Sequence, residues 1–366
     1  MALVLGLMSG TSLDGVDGVL AELTDTRTRV LSHVQRTMPA ALRAELLALN
    51  TSGHDELHRA ALAANALVRL YAETAQAALR LAGVPAAAVE SIGAHGQTVR
   101  HQPQAVDGSG YTLQLMNGAL LAELTGIDVV CDFRSRDVAA GGQGAPLVPA
   151  FHAQRFGEAG TDIAVLNLGG MANLTLLAAD GAVSGFDCGP ANALMDLWCQ
   201  RHRQQAYDAH GAWAASGRVD AALLARWLAE PFFALPPPKS TGRDLFHAGW
   251  LDSRLPDGLR PEDVMATLAE LTVRAACDAL RAQAPATRVL RVCGGGAFNA
   301  HLMRRLAVLL PQVDVTSTAA VGVPPDQVEA LAFAWLAWAY KQRRAGNLMQ
   351  VTGARGARLL GALYPA

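Results

Sequence analysis

Leu3 to Leu20 reads LVLGLMSGTSLDGVDGVL, and the reading of this stretch decides the fold. The apolar run Leu3–Met8 predicts a strand, Ser9-Gly10-Thr11-Ser12 a tight turn, and the residues from about Val16 a returning strand. Glycine lets main-chain N–H groups come close to an anion, and successive N–H groups in a turn form an anion-binding nest. Two carboxylates, Asp14 and Asp17, follow the turn. Taken alone, the same residues also make an ordinary hairpin turn, so the reading depends on the rest of the chain.

The pattern recurs in the second half. Ile163–Leu168 predicts a strand, Gly169-Gly170-Met171 a turn, and Ala172–Leu177 a return strand. Two halves that each open with strand, glycine turn and strand suggest an internal duplication. Between them, helices are expected over Pro39–Leu49 and His54–Leu81. In the second, Leu57, Ala61, Ala64, Val68, Tyr71, Ala75 and Ala78 recur at helical spacing as a core-facing stripe. Strands are expected at Glu90–Ala94, Tyr111–Leu115 and Ile127–Phe133, with a helix over Asn117–Leu124. Arg134–Pro149 is rich in Gly, Ala and Pro and reads as a functional loop or a crossing between lobes. A strand ending at Phe186-Asp187 leads into helical pattern from Pro190. Pro236–Asp244 (PPPKSTGRD) reads as a proline-stiffened basic loop. A helix over Pro261–Ala284, a strand over Arg288–Val292, a Gly294-Gly295-Gly296 turn, a helix from Phe298 and a last helix over Asp326–Arg343 complete the chain. Strands interleaved with helices imply an α/β fold.

Composition narrows the function classes. The chain has 366 residues, 51% of them hydrophobic and 17% charged, enough for two compact lobes with sizeable cores. A net charge of −2 gives no support for nucleic-acid or polybasic membrane contacts. Cys131, Cys188, Cys199, Cys277 and Cys293 form no CxxC pair, which points to a reducing cytosol and away from a zinc or disulfide framework. No signal-peptide pattern and no unbroken 18-residue apolar run is present, so a cytoplasmic protein is expected. Neither GxxxxGK[ST] nor a GxGxxG after the first strand occurs, which sets aside the P-loop and dinucleotide readings.

Two glycine hairpins, one per half, and a GGG turn opening a helix resemble the sugar kinase, actin and chaperone-ATPase superfamily. Seven segments in order, GLMSGTSLDGVD, GAHGQT, CDFRSRDVAAGGQGAPLVP, LNLGGMANLT, GFDCGPAN, PKSTGRDLF and CGGGAFN, resemble the anhydro-N-acetylmuramic acid kinase family over nearly the whole chain. The resemblance implies a two-lobed actin-like (ribonuclease H-like) α/β fold, with residues 1–158 as one lobe and 159–366 as the other. It allows the last helix to pack back on the first lobe, and it puts ATP and sugar in the cleft between lobes. It implies ATP and Mg²⁺ as cofactors and 1,6-anhydro-N-acetylmuramic acid as substrate. It also favours a homodimer, for which an exposed apolar helix such as Ala269–Ala284 is a candidate face.

Residue by residue, the resemblance puts the ATP phosphates on Gly10, Thr11, Ser12, Leu13, Asp14, Gly15, Val16 and Asp17. Asp14 or Asp17 would hold the water shell of Mg²⁺. Where many members of the wider superfamily carry an Asp just before the turn, this chain has Leu7, so the choice of carboxylate stays open. Gly169, Gly170 and Asn173 would close on the nucleotide, and Gly294, Gly295 and Gly296 would hold adenosine. Asp187 is the candidate catalytic base, at a strand end where open sheets place ligand groups; alone it also reads as a helix N-cap. Glu329 is the candidate second carboxylate, or a residue serving its helix dipole. Arg134 and Arg136, beside Asp137, would meet the lactyl carboxylate of the sugar, or form a solvated loop. His95 and Gln97 would hydrogen-bond the sugar, or serve the fold. Lys239, Ser240, Thr241 and Arg243 would form a lid edge, or a surface turn.

The rival readings are a superfamily kinase for another sugar or carboxylate, and a nucleotide-dependent interaction ATPase. A repressor needs a DNA-binding segment before the first hairpin, and a chaperone needs a peptide-binding domain after the last helix.

Overall fold

The computed structural model describes residues 1–10, 13–25, 27–103, 107–243 and 245–366. Thr11 and Ser12 therefore lie outside the described residues. The chain divides into two compact units, one made of Met1–Arg155 with Gln327–Ala366, the other of Phe156–Asp326.

Among the described residues, the first unit is built on a six-stranded sheet. Its strand order is Ala362–Tyr364, Val129–Cys131, Ser91–Ala94, Ala2–Met8, Gly15–Leu23 and Thr28–Thr37. The last three run as an antiparallel meander, and Ala2–Met8, Ser91–Ala94 and Val129–Cys131 run parallel. The second unit repeats this plan. Val183–Pro190, Met171–Leu177 and Ile163–Leu168 form the meander, and Val289–Cys293 and Asp314–Ser317 add in parallel beside Ile163–Leu168. The shared order is a duplicated ribonuclease H-like α/β fold: the hairpin repeat predicts the duplication and the family resemblance the fold.

In the first unit the helix Val328–Lys341 packs across Ala2–Met8 and Ser91–Ala94. It is apolar nearly all round and buried nearly all round, as such a helix must be. Gly6 and Gly93 make the close approach possible. A Cβ on Gly6 would lie 1.9 Å from the Ala330 carbonyl oxygen, and one on Gly93 2.0 Å from that of Phe333. This packing places Gln327–Ala366 in the first unit.

Other expectations are corrected in detail. The helix Glu56–Ala82 buries Ala64, Val68, Tyr71, Ala75 and Ala78, but Leu57 is 89% exposed and Ala61 is also exposed. The stripe is right from the third turn on, while nearer the start Ala60 and Ala63 face the core in place of Leu57 and Ala61. Gln97–Pro103 pairs with Gly110–Leu115 as a hairpin interrupted by a bulge between Thr98 and Arg100, which breaks the period of two that announces a strand. Arg134–Pro149 is not all loop, since it contains the helix Ser135–Ala139 and the start of Val148–Phe156. Pro190 ends a strand instead of opening a helix, pairing with Met171 on an edge strand where a missing N–H costs no ladder bond. Pro261–Gln283 is no exposed dimer face. From Val264 to Val273 every residue is buried, with Trp213, Trp227, Phe246 and Trp250 in the same core.

Candidate active site

In the first unit, the strands Ala2–Met8 and Ser91–Ala94 run parallel and end together, with Leu7 opposite Ala94. The residues that follow each strand, Ser9-Gly10 and His95-Gly96-Gln97, therefore share the carboxyl edge of the sheet, where open α/β sheets bind ligands. The hairpin turn is held by Leu13, whose N–H donates to the Gly10 carbonyl at 3.2 Å. Leu13 has φ of 56°, an uncommon backbone for a branched residue, and its buried side chain anchors it. Asp14 is exposed at the far end of the turn. Asp17 accepts from His33 Nε2 at 3.1 Å. Leu7 is fully buried, so the carboxyl edge carries no acid there.

His95 and Gln97 both grip this hairpin. The Gln97 amide donates to the Gly10 carbonyl at 3.2 Å, and its Oε1 is buried without a partner among the described residues. His95 faces inward with 5% exposure. Its Nε2 receives the Arg134 guanidinium, at 3.1 Å from Nε and 3.0 Å from Nη2. A guanidinium only donates, so Nε2 is the acceptor and the ring proton sits on Nδ1. Nδ1–H then donates to the Ser9 carbonyl at 3.3 Å. Burial, aided by the Arg134 charge, pushes the His95 imidazole down to about 3, so it is neutral at physiological pH. The Ser9 hydroxyl pairs with the Tyr71 hydroxyl at 2.9 Å and with the Gly96 carbonyl at 3.1 Å.

Arg134 also donates from Nη1 to the Gly144 carbonyl at 2.8 Å. Burial lowers its guanidinium to about 10, opposed by the carboxylates of Glu329 and Asp137, and it stays charged at neutral pH. Glu329 is exposed in the first turn of its helix. Asp137 is 0% exposed. One of its oxygens accepts from Asn347 at 2.7 Å and Thr352 at 2.8 Å, the other from the Gly144 N–H at 2.8 Å. Both oxygens are occupied inside the protein, so Asp137 fastens the segment after Arg134 and has none left for a sugar. Arg136 is exposed.

In the second unit, register lines up a polar row. Asp187 stands opposite Asn173, Asn173 opposite Asn167, and Asn167 opposite Cys293, the residue before the GGG turn. Directly opposed antiparallel residues point to the same face, so Asp187, Asn173 and Asn167 share one. A bulge between Asp187 and Gly189 breaks the ladder just past the carboxylate. Asp187 is not a helix N-cap, because the next helix is Asn192–Arg203 and its N-cap is Ala191. Its main-chain N–H donates to the Lys239 carbonyl at 3.0 Å, and the Thr241 N–H donates to Oδ2 at 2.9 Å. Burial pushes the Asp187 carboxyl up to about 6 against the lowering effect of the Thr241 N–H. The PKSTGRD segment is thus the support of Asp187. Lys239 is spent on the carbonyls of Phe232 and Phe233, each at 3.2 Å, while Ser240 and Arg243 are exposed.

The glycines separate into two kinds. A Cβ on Gly294 would meet Asn167 Oδ1 at 2.4 Å, and one on Gly296 would meet Leu168 Cβ at 2.5 Å, so the fold itself demands both. A Cβ on Gly169, Gly170 or Gly295 would come no closer than 3.7, 3.9 or 3.6 Å to the protein. None of these three has a left-handed backbone. Nothing in the protein requires glycine there, whereas a bound ligand lying against the main chain would. The turn carbonyls are already used inside the unit: Gly170 accepts from the Ala191 and Ala193 N–H groups and Gly169 from that of Asn192. Asn192 also donates from its side chain to the Leu168 carbonyl at 2.9 Å, bridging the second hairpin and the GGG turn.

The structure thus assembles two clusters from the residues read off the sequence. His95, Gln97, Arg134 and the hairpin up to Asp17 lie in the first unit, with Glu329 coupled to Arg134. Asp187, Asn173 and the five glycines lie in the second. Sequence reading missed Ser9, Tyr71 and Asn192, and it gave Thr241 a lid role without its bond to Asp187. The sole signal for Thr241 was its presence in PKSTGRD. Among the described residues no group of three or more His, Cys, Asp or Glu side chains could hold a metal ion, and no helix is long and apolar enough to cross a membrane.

A sequence profile described as anhydro-N-acetylmuramic acid kinase matches residues 2–366. The anhydro-N-acetylmuramic acid kinase of Albidiferax ferrireducens is 58% identical, over 100% of this chain and 99% of its own length. The enzyme of the same name from Variovorax paradoxus is 60% identical over 100% and 99%. That from Bordetella petrii is 62% identical over 100% and 96%.

Proposed function

Since the chain belongs to the anhydro-N-acetylmuramic acid kinase family, we propose that it phosphorylates 1,6-anhydro-N-acetylmuramic acid with ATP while opening the anhydro ring. The products are N-acetylmuramic acid 6-phosphate and ADP, and the role is recovery of cell-wall amino sugar. The observation that carries the mechanism is Asp187, a buried carboxylate on the polar row whose pKa of about 6 makes it a stronger base than an ordinary aspartate.

The 1,6-anhydro bridge leaves no free 6-hydroxyl to phosphorylate. Water must add at C1 as the C1–O6 bond breaks, and O6 takes the γ-phosphoryl group from ATP. Asp187 receives the proton of that water, which passes to solvent after turnover. General-base help of this kind contributes roughly 10²–10⁴ in rate. The Thr241 N–H holds Oδ2 and leaves Oδ1 to the water. Glu329 is the second carboxylate that the family resemblance assigns to catalysis.

By the family resemblance, main-chain groups of Gly10–Asp17 bind the ATP phosphates, Gly169, Gly170 and Asn173 also serve the nucleotide, and Gly294–Gly296 hold adenosine. Room at Gly169, Gly170 and Gly295 supports this assignment. Mg²⁺ takes oxygen ligands and keeps most of its waters, binding through one or two carboxylates and the phosphates. The exposed Asp14 fits that donor set, and so does Asp17 once it is released from His33. When bound, the ion would neutralise charge on the transferring phosphoryl group. Gln97 and Arg134 bind the sugar, with Arg136 at its margin. A cytoplasmic homodimer completes the proposal.

The test is a mass-spectrometric product assay with ATP, Mg²⁺ and the anhydro-sugar in ¹⁸O-water, run beside Asp187→Asn. A 6-phosphorylated product with one ¹⁸O at C1, lost in the variant, is expected. ADP without sugar phosphate would retire the sugar-kinase reading, and equal product in both proteins would retire Asp187 as base.

A further inference from the structure

His95 is placed like a substrate ligand but is built like a support. It follows a strand at the carboxyl edge of the first sheet, yet its ring is buried and packs at a tilt of 46° against Phe333, with ring centroids 4.6 Å apart. Both ring nitrogens are used, Nδ1 on the Ser9 carbonyl of the hairpin and Nε2 on the Arg134 guanidinium. Arg134 commits N–H groups on Nε and Nη2 to His95 and one on Nη1 to the Gly144 carbonyl. Of the five guanidinium N–H groups, one on Nη1 and one on Nη2 are left to meet an oxygen acceptor.

Resting on the kinase reading above, we propose that His95 is a positioning residue: it ties the Arg134 guanidinium to the first phosphate hairpin and presents that remaining N–H pair to the sugar. A long arginine side chain loses much rotamer freedom when it is fixed. Here a rigid neutral ring does the fixing, and a neutral ring can accept from the guanidinium where a protonated one would repel it. The proposal also means that the sugar-binding arginine and the phosphate-binding turn move as one body. Ser9, held by Tyr71 and Gly96, anchors the other end.

The two ring contacts can be separated by substitution. The His95→Asn amide reaches about as far as Nδ1 and retains the hairpin bond, but it cannot reach Arg134. The longer His95→Gln amide oxygen reaches about as far as Nε2 and retains the arginine. We expect His95→Asn to lose about 10- to 100-fold in kcat/KM for the anhydro-sugar with KM for ATP little changed. His95→Gln should stay within about threefold of wild type, and His95→Asn/Arg134→Gln should be no worse than Arg134→Gln alone. Equal losses in the Asn and Gln variants, or a double variant whose losses multiply, would overturn the proposal. Wild-type turnover of the anhydro-sugar is measured first. Its absence retires the kinase reading, and the same cycle is then read on thermal unfolding, where additive Tm changes overturn the clamp and coupled changes uphold it.

Discussion

Asp187→Asn should do two opposite things, and the structure sets the size of the second. The variant removes the proposed base, so ring-opening phosphorylation should fall by roughly 10²–10⁴. It also removes a carboxylate that burial has pushed from its ordinary 3.8 to about 6. Because the folded-state value is the higher one, the folded protein holds more protons than the unfolded chain between those two pH values. The protonated carboxyl therefore stabilises the fold fully below pH 3.8, and this contribution is lost as pH rises through about 6. At pH 8 the buried ionised form costs about 3 kcal/mol, two pH units at about 1.4 kcal/mol each. An asparagine has no charge to bury, and its amide oxygen can still accept from the Thr241 N–H. The variant should thus be more stable than wild type at pH 8, by about 2–4 °C per kcal/mol for a unit of this size. That advantage should shrink as pH drops below about 6 and vanish near 3.8. Differential scanning calorimetry of both proteins from pH 4.5 to 8 measures it, following the transition of the Phe156–Asp326 unit. The kcat/KM of wild type should fall with a one-proton limb near pH 6 over the same range. A stability gain independent of pH, or a loss at pH 8, would refute the buried-base reasoning.

Two further predictions concern glycines. Gly295→Ala should leave Tm within about 2 °C of wild type and weaken binding of a nonhydrolysable ATP analogue by tenfold or more in calorimetry, whereas Gly296→Ala should destabilise the fold because its Cβ would sit 2.5 Å from Leu168 Cβ. Gly6→Ala should cost about 3 kcal/mol or more, read as a lower urea midpoint, since its Cβ would fall 1.9 Å from a main-chain oxygen that cannot rotate away.

The parts of the fold that local pattern governs were legible. Both hairpins appear in the sequence because an apolar run, a glycine turn and a second apolar run are contiguous, and the repeat of that signature announced the duplication. What local pattern cannot carry was missed or misread. Pro261–Gln283 reads as an apolar helix whether it covers a dimer or fills a core, and it is the aromatic cluster around it that decides. Pro190 looked like a helix start because its fixed φ suits one, but the edge position of its strand accommodates a proline equally well. The bonds that shape the candidate site join residues far apart in the chain: His95 to Arg134 across 39 positions and Asp187 to Thr241 across 54. Spacing reveals neighbours on one element, and these pairs lie on different ones.

The proposed base, Asp187, sits at a bulge beside a proline-stiffened loop, and its surroundings fit that role. A carboxylate in water has a pKa too low to draw a proton from water efficiently, and burial is the simplest way to raise it. Burial without a partner would leave the acid largely neutral at working pH and useless as a base. One main-chain donor is a compromise between these extremes. The Thr241 N–H lowers the carboxyl enough to keep it mostly ionised near neutrality, and burial keeps it well above an ordinary aspartate. A second strong donor on the other oxygen would cancel the gain and occupy the lone pairs the water needs. Asp137 shows that outcome in the same chain, with donors on both oxygens, no exposure and a structural task. The number of protein donors on each buried aspartate, one against three, separates the residue that can act as a base from the one that holds the fold.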